Sequence, residues 1–222
     1  MIDLNEFLNA IKTGDSVRVQ QILDADPAVL NAVRQQGTSP VLLALYCNVP
    51  AIAAQFIAHG ATLDIFEAAA TGRVERVREL VQENPDLANA YAPDGFQPLG
   101  LASFFGHREI VNLLLAYGAV VNSPSRNAQK VMPLHSAVAG QHGDVVAVLL
   151  DHGAKVNARQ ADDFTPLHGA AQNGQLPVVQ LLVEHGARVN LRNGKRRTPL
   201  ALAKKAGHAD VVAWLREHGA ES

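Results

Sequence analysis

The chain repeats itself. Pro133-Leu134, Pro166-Leu167 and Pro199-Leu200 recur every 33 residues, and Gly153-Ala154, Gly186-Ala187 and Gly219-Ala220 keep the same step. A fixed period of this length means a solenoid, in which no unit can bury its own apolar face and neighbouring units stack to make the core. Between Pro98 and Pro133, and between Gly118 and Gly153, the step is 35, so one unit carries two extra residues near Ser123-Pro124-Ser125-Arg126. Upstream the step becomes 58, pairing Gly14 with Gly72, Pro27 with Pro85, Asn31 with Asn89, Gly37 with Gly95, Pro40 with Pro98 and Gly60 with Gly118, as if a two-unit segment had been duplicated. Counting gives a single domain, 1–222, of seven units: 1–31, 32–64, 65–89, 90–126, 127–159, 160–192 and 193–222.

Within a unit the pattern reads helix, tight turn, helix, extended loop. In the sixth, Thr165 is an N-cap candidate and Pro166 takes the first helical position, where a missing N–H does no harm. Gly174 stops that helix with a left-handed residue. Val178, Val179, Leu181 and Leu182 then form a stripe at helical spacing, and Gly186 closes the second helix. Thr198-Pro199, Gly207 and the stripe Val211, Val212, Trp214 and Leu215 repeat the layout in the seventh unit.

Thr165-Pro166-Leu167-His168, Gly174, Val178-Val179-Gln180-Leu181-Leu182 and His185-Gly186-Ala187-Arg188-Val189-Asn190 together resemble the ankyrin-repeat consensus, strongly from Asp94 onward and more weakly over the first 93 residues. The resemblance implies an all-α solenoid of L-shaped helix pairs with short β-hairpin fingers, whose fingers and first helices line a concave face that binds other proteins.

The first and third units depart from that pattern. Neither has a Thr-Pro-Leu-His segment, and Leu63-Asp64-Ile65-Phe66 runs almost straight into the next helix, so the third finger is expected to be missing or stunted. Their second helices end at Asp26-Pro27 and Asn84-Pro85 rather than at Gly-Ala. Gln97-Pro98 and Met132-Pro133 lack the Thr cap, a loss of about 1 kcal/mol each, which predicts weaker middle repeats. At the ends, Arg216 stands where earlier units carry Leu115, Leu150 and Val183, and Ala201 and Lys204 replace the His and small residue of the pattern. Asp3 and Glu6 suggest a capping box, with Phe7, Leu8 and Ile11 facing inward. The first and last units are therefore expected to act as caps of a complete array.

Apolar residues make up 48% of the chain but no run approaches the ~18 of a membrane span. Met1-Ile2-Asp3-Leu4-Asn5-Glu6 carries acids where a signal peptide needs basic residues. Cys47 is the one cysteine, which excludes an internal disulfide and favours a reducing cytoplasm. A formal charge of −2 gives no electrostatic reason to bind nucleic acid or membrane.

Nine histidines invite a metal or catalytic reading, yet all fall at repeat positions: His135 and His168 after Pro-Leu, His107, His142 and His208 in the turn, and His59, His152, His185 and His218 just before Gly. A metal needs several ligands converging to ~2.1 Å, whereas successive units stand about 10 Å apart. Phosphate-loop, dinucleotide and nucleophile-elbow motifs are absent, and Asp162-Asp163 reads as a solvated finger tip rather than an acid/base pair. The chain is read as no enzyme and as needing no cofactor.

Aromatic placement is different. Phe96 and Phe164 stand two residues before Pro, on the fingers, and Tyr46, Phe104 and Phe105 at the ends of first helices. The resemblance puts these positions on the concave groove, where aromatics are favoured anchors; packing between units is the alternative for Phe105. Asp162, Asp163, Gln172 and Asn173 would form a polar rim. Arg192, Lys195, Arg196 and Arg197, with Lys204 and Lys205 beyond, are a possible docking patch for an acidic partner. The expectation is a cytoplasmic, monomeric or weakly self-associating module that binds another protein on its concave face. An engineered scaffold is the first alternative, against which stand irregularities such as Gly140-Gln141-His142-Gly143 and Pro177, pointing instead to a natural protein of bacterial type. A small-molecule receptor or enzyme is the second, to be distinguished by an enclosed pocket.

Overall fold

Local chemistry dictates where each helix starts and stops. The computed structural model describes residues 3–35, 37 and 39–221, so Met1 and Ile2 of the segment weighed against a signal peptide lie outside it. Among the described residues seven antiparallel helix pairs follow one another. They are α1 (Leu4–Thr13) with α2 (Ser16–Ala25), α4 (Pro40–Tyr46) with α5 (Pro50–Ala58), α6 (Ile65–Ala70) with α7 (Val74–Glu83), α8 (Pro98–Phe104) with α9 (Arg108–Ala116), α10 (Pro133–Ala139) with α11 (Gly143–Asp151), α12 (Pro166–Gln172) with α13 (Leu176–Glu184), and α14 (Pro199–Ala206) with α15 (Ala209–Glu217). A further helix, α3 (Val29–Gln35), follows α2, and a 3-10 helix, Pro85–Asn89, follows α7 at the duplicated place. The chain that follows Asp26-Pro27 and Asn84-Pro85 is thus helical.

Proline at the first turn opens α4, α8, α10, α12 and α14. Eight residues after it the chain needs a left-handed residue to turn back: Gly106, Gly174 and Gly207 supply it, and Asn48 and Gln141 adopt it without being glycine. At Gly106 and Gly174 there is no space for a side chain either, because a Cβ would lie 2.4 Å from the His142 ring or 2.5 Å from the His208 ring.

The core is one continuous column. Val41, Leu99, Leu134, Leu167 and Leu200 stack through successive first helices, each at most 2% exposed, and Ala44, Ala102, Ala137, Ala170 and Ala203 give the close helix contacts beside them. Burial of each such leucine stabilises the stack by about 2 kcal/mol. At the start of the column Phe7 and Phe56 pack with ring centroids 5.7 Å apart.

The expected Asp3–Glu6 capping box does not form. Asp3 accepts from Asn5 N–H, whereas Glu6 reaches α2 and pairs with Arg18 at 2.6 Å. The box occurs instead on α6, where Asp64 accepts from Glu67 N–H and the Glu67 carboxylate accepts from Asp64 N–H. Asp64 caps α6 directly because no finger intervenes between α5 and α6. Glu67, fully buried, is also paired with Arg34 of α3 and accepts from the Ser39 hydroxyl at 2.7 Å, so the joint left without a finger is filled by an ion pair.

Fingers project before α8, α10, α12 and α14. In each, one backbone bond joins the two arms, from Ala92 N–H to Phe96 O, Ser125 N–H to Val131 O, Gln160 N–H to Phe164 O and Asn193 N–H to Arg197 O, and a second closes the turn inside it. Consecutive fingers are tied by Arg126 N–H to Gly95 O, Ala161 N–H to Gln129 O and Gly194 N–H to Asp162 O. With so few bonds, none of the described residues reaches strand conformation, and the β-hairpins of the family pattern are present here as turns.

Beyond the ends of the second helices runs an asparagine ladder. Asn89, Asn122, Asn157 and Asn190 each donate to the carbonyl of Gly118, Gly153, Gly186 and Gly219 in the following unit at 2.9–3.0 Å. Each also accepts from an N–H two residues further on, at Val120, Lys155, Arg188 and Glu221.

Candidate functional site

The concave side is built from the last turn of each first helix and the finger before it. In the middle of the stack it opens into a groove of about 610 Å³. Phe96 and Phe164 of the fourth and sixth fingers, Phe104 at the end of α8 and Tyr46 at the end of α4 form its walls; Gly100, Leu101, Ser136 and Gly169 form the floor. Gln160, Gln172, Asn173 and Asn127 bring amides to the rim. The hollow exists because three residues after the opening proline the side chains shrink, from Leu101 in the fourth unit to Ser136 and Gly169 in the fifth and sixth. Six residues after it, Ala139 stands between Phe104 and Gln172. The groove is open to solvent: Tyr46 is 47% and Phe104 42% exposed, rare values for large apolar rings in this chain.

One carboxylate sits at the Tyr46 end. The Tyr46 hydroxyl donates to Asp94 Oδ2 at 2.7 Å, and Asp94 Oδ1 accepts from Phe96 N–H at 3.1 Å. The contact joins the second unit to the finger of the fourth, which the missing third finger leaves side by side. Burial and the neighbouring Asp94 carboxylate raise the Tyr46 phenol well above its ordinary value.

Of the residues singled out from sequence, the structure brings Tyr46, Phe96, Phe104, Phe164, Gln172 and Asn173 together in this groove. Phe105 lies elsewhere. One residue beyond Phe104 at the helix end, it turns inward onto Leu42, Ala70 and Leu101 and meets Phe104 edge to face at 5.1 Å. Asp162 and Asp163 are exposed at the sixth finger tip, away from the groove, with Asp163 paired to Arg159 at 3.0 Å. Arg192, Lys195, Arg196 and Arg197 are exposed on the seventh finger, outside the groove, where Arg192 donates to Arg196 O. Asp94, Ser136 and Gly169 were missed. Asp94 shows as a wall only once Tyr46 is seen beside it, and the small floor residues could have been found by comparing the concave positions across units.

The histidines have structural partners. His59, His152, His185 and His218 donate from Nδ1 to the carbonyl four residues back. His107 and His208 donate to Ala70 O and Gln172 O of the preceding unit. His135 and His168 donate from Nε2 to Phe164 O and Arg197 O of the next finger. His142 packs its ring against Gly106. Burial lowers His135 to about 4 and pushes His107 and His168 below their ordinary value. Among the described residues no three His, Cys, Asp or Glu side chains gather to hold a metal, and no helix is long and apolar enough to cross a membrane.

Stacked helix pairs with projecting fingers and a side groove define a helical repeat solenoid. A family profile described as Ankyrin repeats (3 copies) matches residues 134–222, and one described as Ankyrin repeat matches 94–126; the chain belongs to the ankyrin-repeat family. Relatives include rat Ankyrin repeat and SAM domain-containing protein 6, 40% identical over 152 residues, which are 68% of this chain and 14% of that protein. Putative ankyrin repeat protein FPV031 of Fowlpox virus is 36% identical over 93 residues, 41% of this chain and 27% of its own. Human Rabankyrin-5 is 41% identical over 61 residues, 28% of this chain and 5% of its own. The chain therefore spans a small part of each relative's length. Ankyrin repeats are in general protein–protein interaction modules and not catalysts.

Proposed function

We propose that this chain is a single binding domain, capped by its first and last units, that holds a segment of another protein in the groove between the fourth and sixth fingers and performs no catalysis. The observation that carries the reading is the gathering of Tyr46, Phe96, Phe104 and Phe164 around one open, apolar-floored groove in a chain whose other large apolar side chains are mostly buried. A stack of units ordered on folding has little conformational entropy left to lose on binding, so rigid display is the mechanism, and the partner is sequestered, inhibited or scaffolded. The domain acts as a monomer in the cytoplasm, without cofactor, nucleic acid or membrane. The basic seventh finger, Arg192, Lys195, Arg196 and Arg197, is a secondary contact for an acidic region of the partner.

The test is affinity purification with mass spectrometry, using the parent chain and a variant carrying Phe96→Ser, Phe104→Ser and Phe164→Ser with unchanged helicity. A partner held by the parent and lost by the variant supports the groove. A partner held equally by both moves the contact to the seventh finger or the convex side. A second reading, a small apolar ligand, is favoured by the groove's volume, which falls within the ~300–1,000 Å³ of ligand pockets; it requires a small molecule to co-purify with the parent alone.

A further inference from the structure

The charge and hydrogen bonding at the Tyr46 end of the groove specify what kind of segment fits there. Among the residues lining the groove Asp94 is the one carboxylate, and no lysine or arginine accompanies it. His135, the other titratable group of the lining besides Tyr46, is held neutral by burial. The groove therefore offers one negative charge to an incoming ligand and no positive one.

That charge is preorganised. Asp94 Oδ2 accepts from the Tyr46 hydroxyl, Asp94 Oδ1 accepts from Phe96 N–H, and the Asp94 backbone carbonyl accepts from Asn127 Nδ2 at 3.1 Å. An ionised carboxylate has about four acceptor sites. One on each oxygen is used, and one on each is left on a side chain that remains exposed. Two parallel acceptor sites are what a guanidinium fork engages, and the same planar group stacks on aromatic faces, here supplied by Phe96 and Phe104. An ammonium, a compact point charge, would use that pattern less fully.

We propose that the groove selects a partner segment bearing an arginine, whose guanidinium pairs with Asp94 beside Phe96 and Phe104, and whose neighbouring apolar side chain enters the hollow over Ser136 and Gly169. The inference rests on the groove being a protein-binding site and names the chemistry of its occupant.

A random heptapeptide library displayed on phage is selected against the parent chain, and the enriched sequences are made as synthetic peptides with arginine or with neutral, near-isosteric citrulline. The expected result is enrichment of arginine at one position beside an apolar residue. Exchange to citrulline should weaken binding tenfold or more to the parent, and Asp94→Asn should weaken the arginine peptide by a similar factor while leaving the citrulline peptide unchanged. Peptides that need Phe96 and Phe164 but show no arginine preference overturn this inference and leave the groove reading standing. If no peptide depends on Phe96 or Phe164, both fail. The citrulline exchange alters the peptide alone, so it decides between arginine and a neutral side chain whether or not Asp94→Asn folds.

Discussion

His168 Nδ1 accepts from Thr165 N–H at 3.2 Å and lies 2.7 Å from the Thr165 hydroxyl, while its Nε2 donates to Arg197 O of the next finger. Both ring nitrogens are thereby used, and one imidazole ties a helix start to the following unit. His135 occupies the same place one unit earlier and keeps the outward bond, to Phe164 O, but the residue three before it is Met132 and its buried Nδ1 has no partner. A buried polar atom without a partner costs about 1–3 kcal/mol.

Met132→Thr should therefore stabilise the protein by about 1 kcal/mol, by giving His135 the hydroxyl that His168 has. Urea denaturation reads this as a higher midpoint at constant slope. An unchanged or lowered midpoint would show that the side-chain packing of Met132 outweighs the missing bond. The fourth unit differs: Gln97, also standing for the Thr, is buried and donates to Asn89 O at 3.0 Å, so its deficit is already partly met.

Gln141 turns the fifth unit with φ 65°, the left-handed geometry that glycine supplies in the fourth, sixth and seventh. Holding a side chain there costs about 1 kcal/mol. Gln141→Gly is expected to recover roughly that amount against the added freedom of the unfolded chain, with hydrogen exchange slowing first at the ends of α10 and α11. Gly140 is the opposite case, since a Cβ there would lie 2.0 Å from Phe104 O, and Gly140→Ala should disrupt the wall of the groove itself.

Acid should loosen the stack through its buried histidines. His135 titrates at about 4 when folded, against about 6.5 in the unfolded chain, because burial opposes its charge. Between those values the unfolded state binds more protons than the folded one, so the stabilisation is complete above pH 6.5 and is lost as pH falls toward 4. His135 alone should remove about 2 kcal/mol between pH 7 and pH 5, and His168 and His107, lowered in the same direction, add to it. Denaturation midpoints across that window measure the slope. His135→Gln should flatten it, and an unaltered slope would mean the ring is charged in the folded state.

The fold was legible wherever the chemistry is local and repeated. Proline at helix starts, glycine at turns and the Leu-Ala core positions announce the helix pairs, and Leu63-Asp64-Ile65 announces the gap where no finger stands. Helix α3 is legible only in part: Asp26-Pro27 marks its start, Asp26 accepting from Ala28 N–H, and Val29, Leu30 and Val33 are buried, but nothing local announces that Arg34 reaches Glu67, 33 positions away. Four aromatics and two amides of the groove followed from their register. Its floor did not, because a hollow is made by side chains that are small, and Gly169 or Ser136 signals nothing until its neighbours are in place. Phe105 shows the matching limit: one step around a helix end separates the exposed ring of Phe104 from one that is partly buried against Leu42 and Ala70.

The asparagine ladder gives every joint from the third unit to the seventh the same pair of hydrogen bonds. Asn122 meets Gly153 and Lys155 as Asn157 meets Gly186 and Arg188. A 33-residue cassette cut from the middle would leave an intact donor facing an intact acceptor, in register. Length in such a chain is thus an inheritable variable that recombination can change by whole units without re-solving the joint, while the groove, which depends on which units are neighbours, would be rewritten each time.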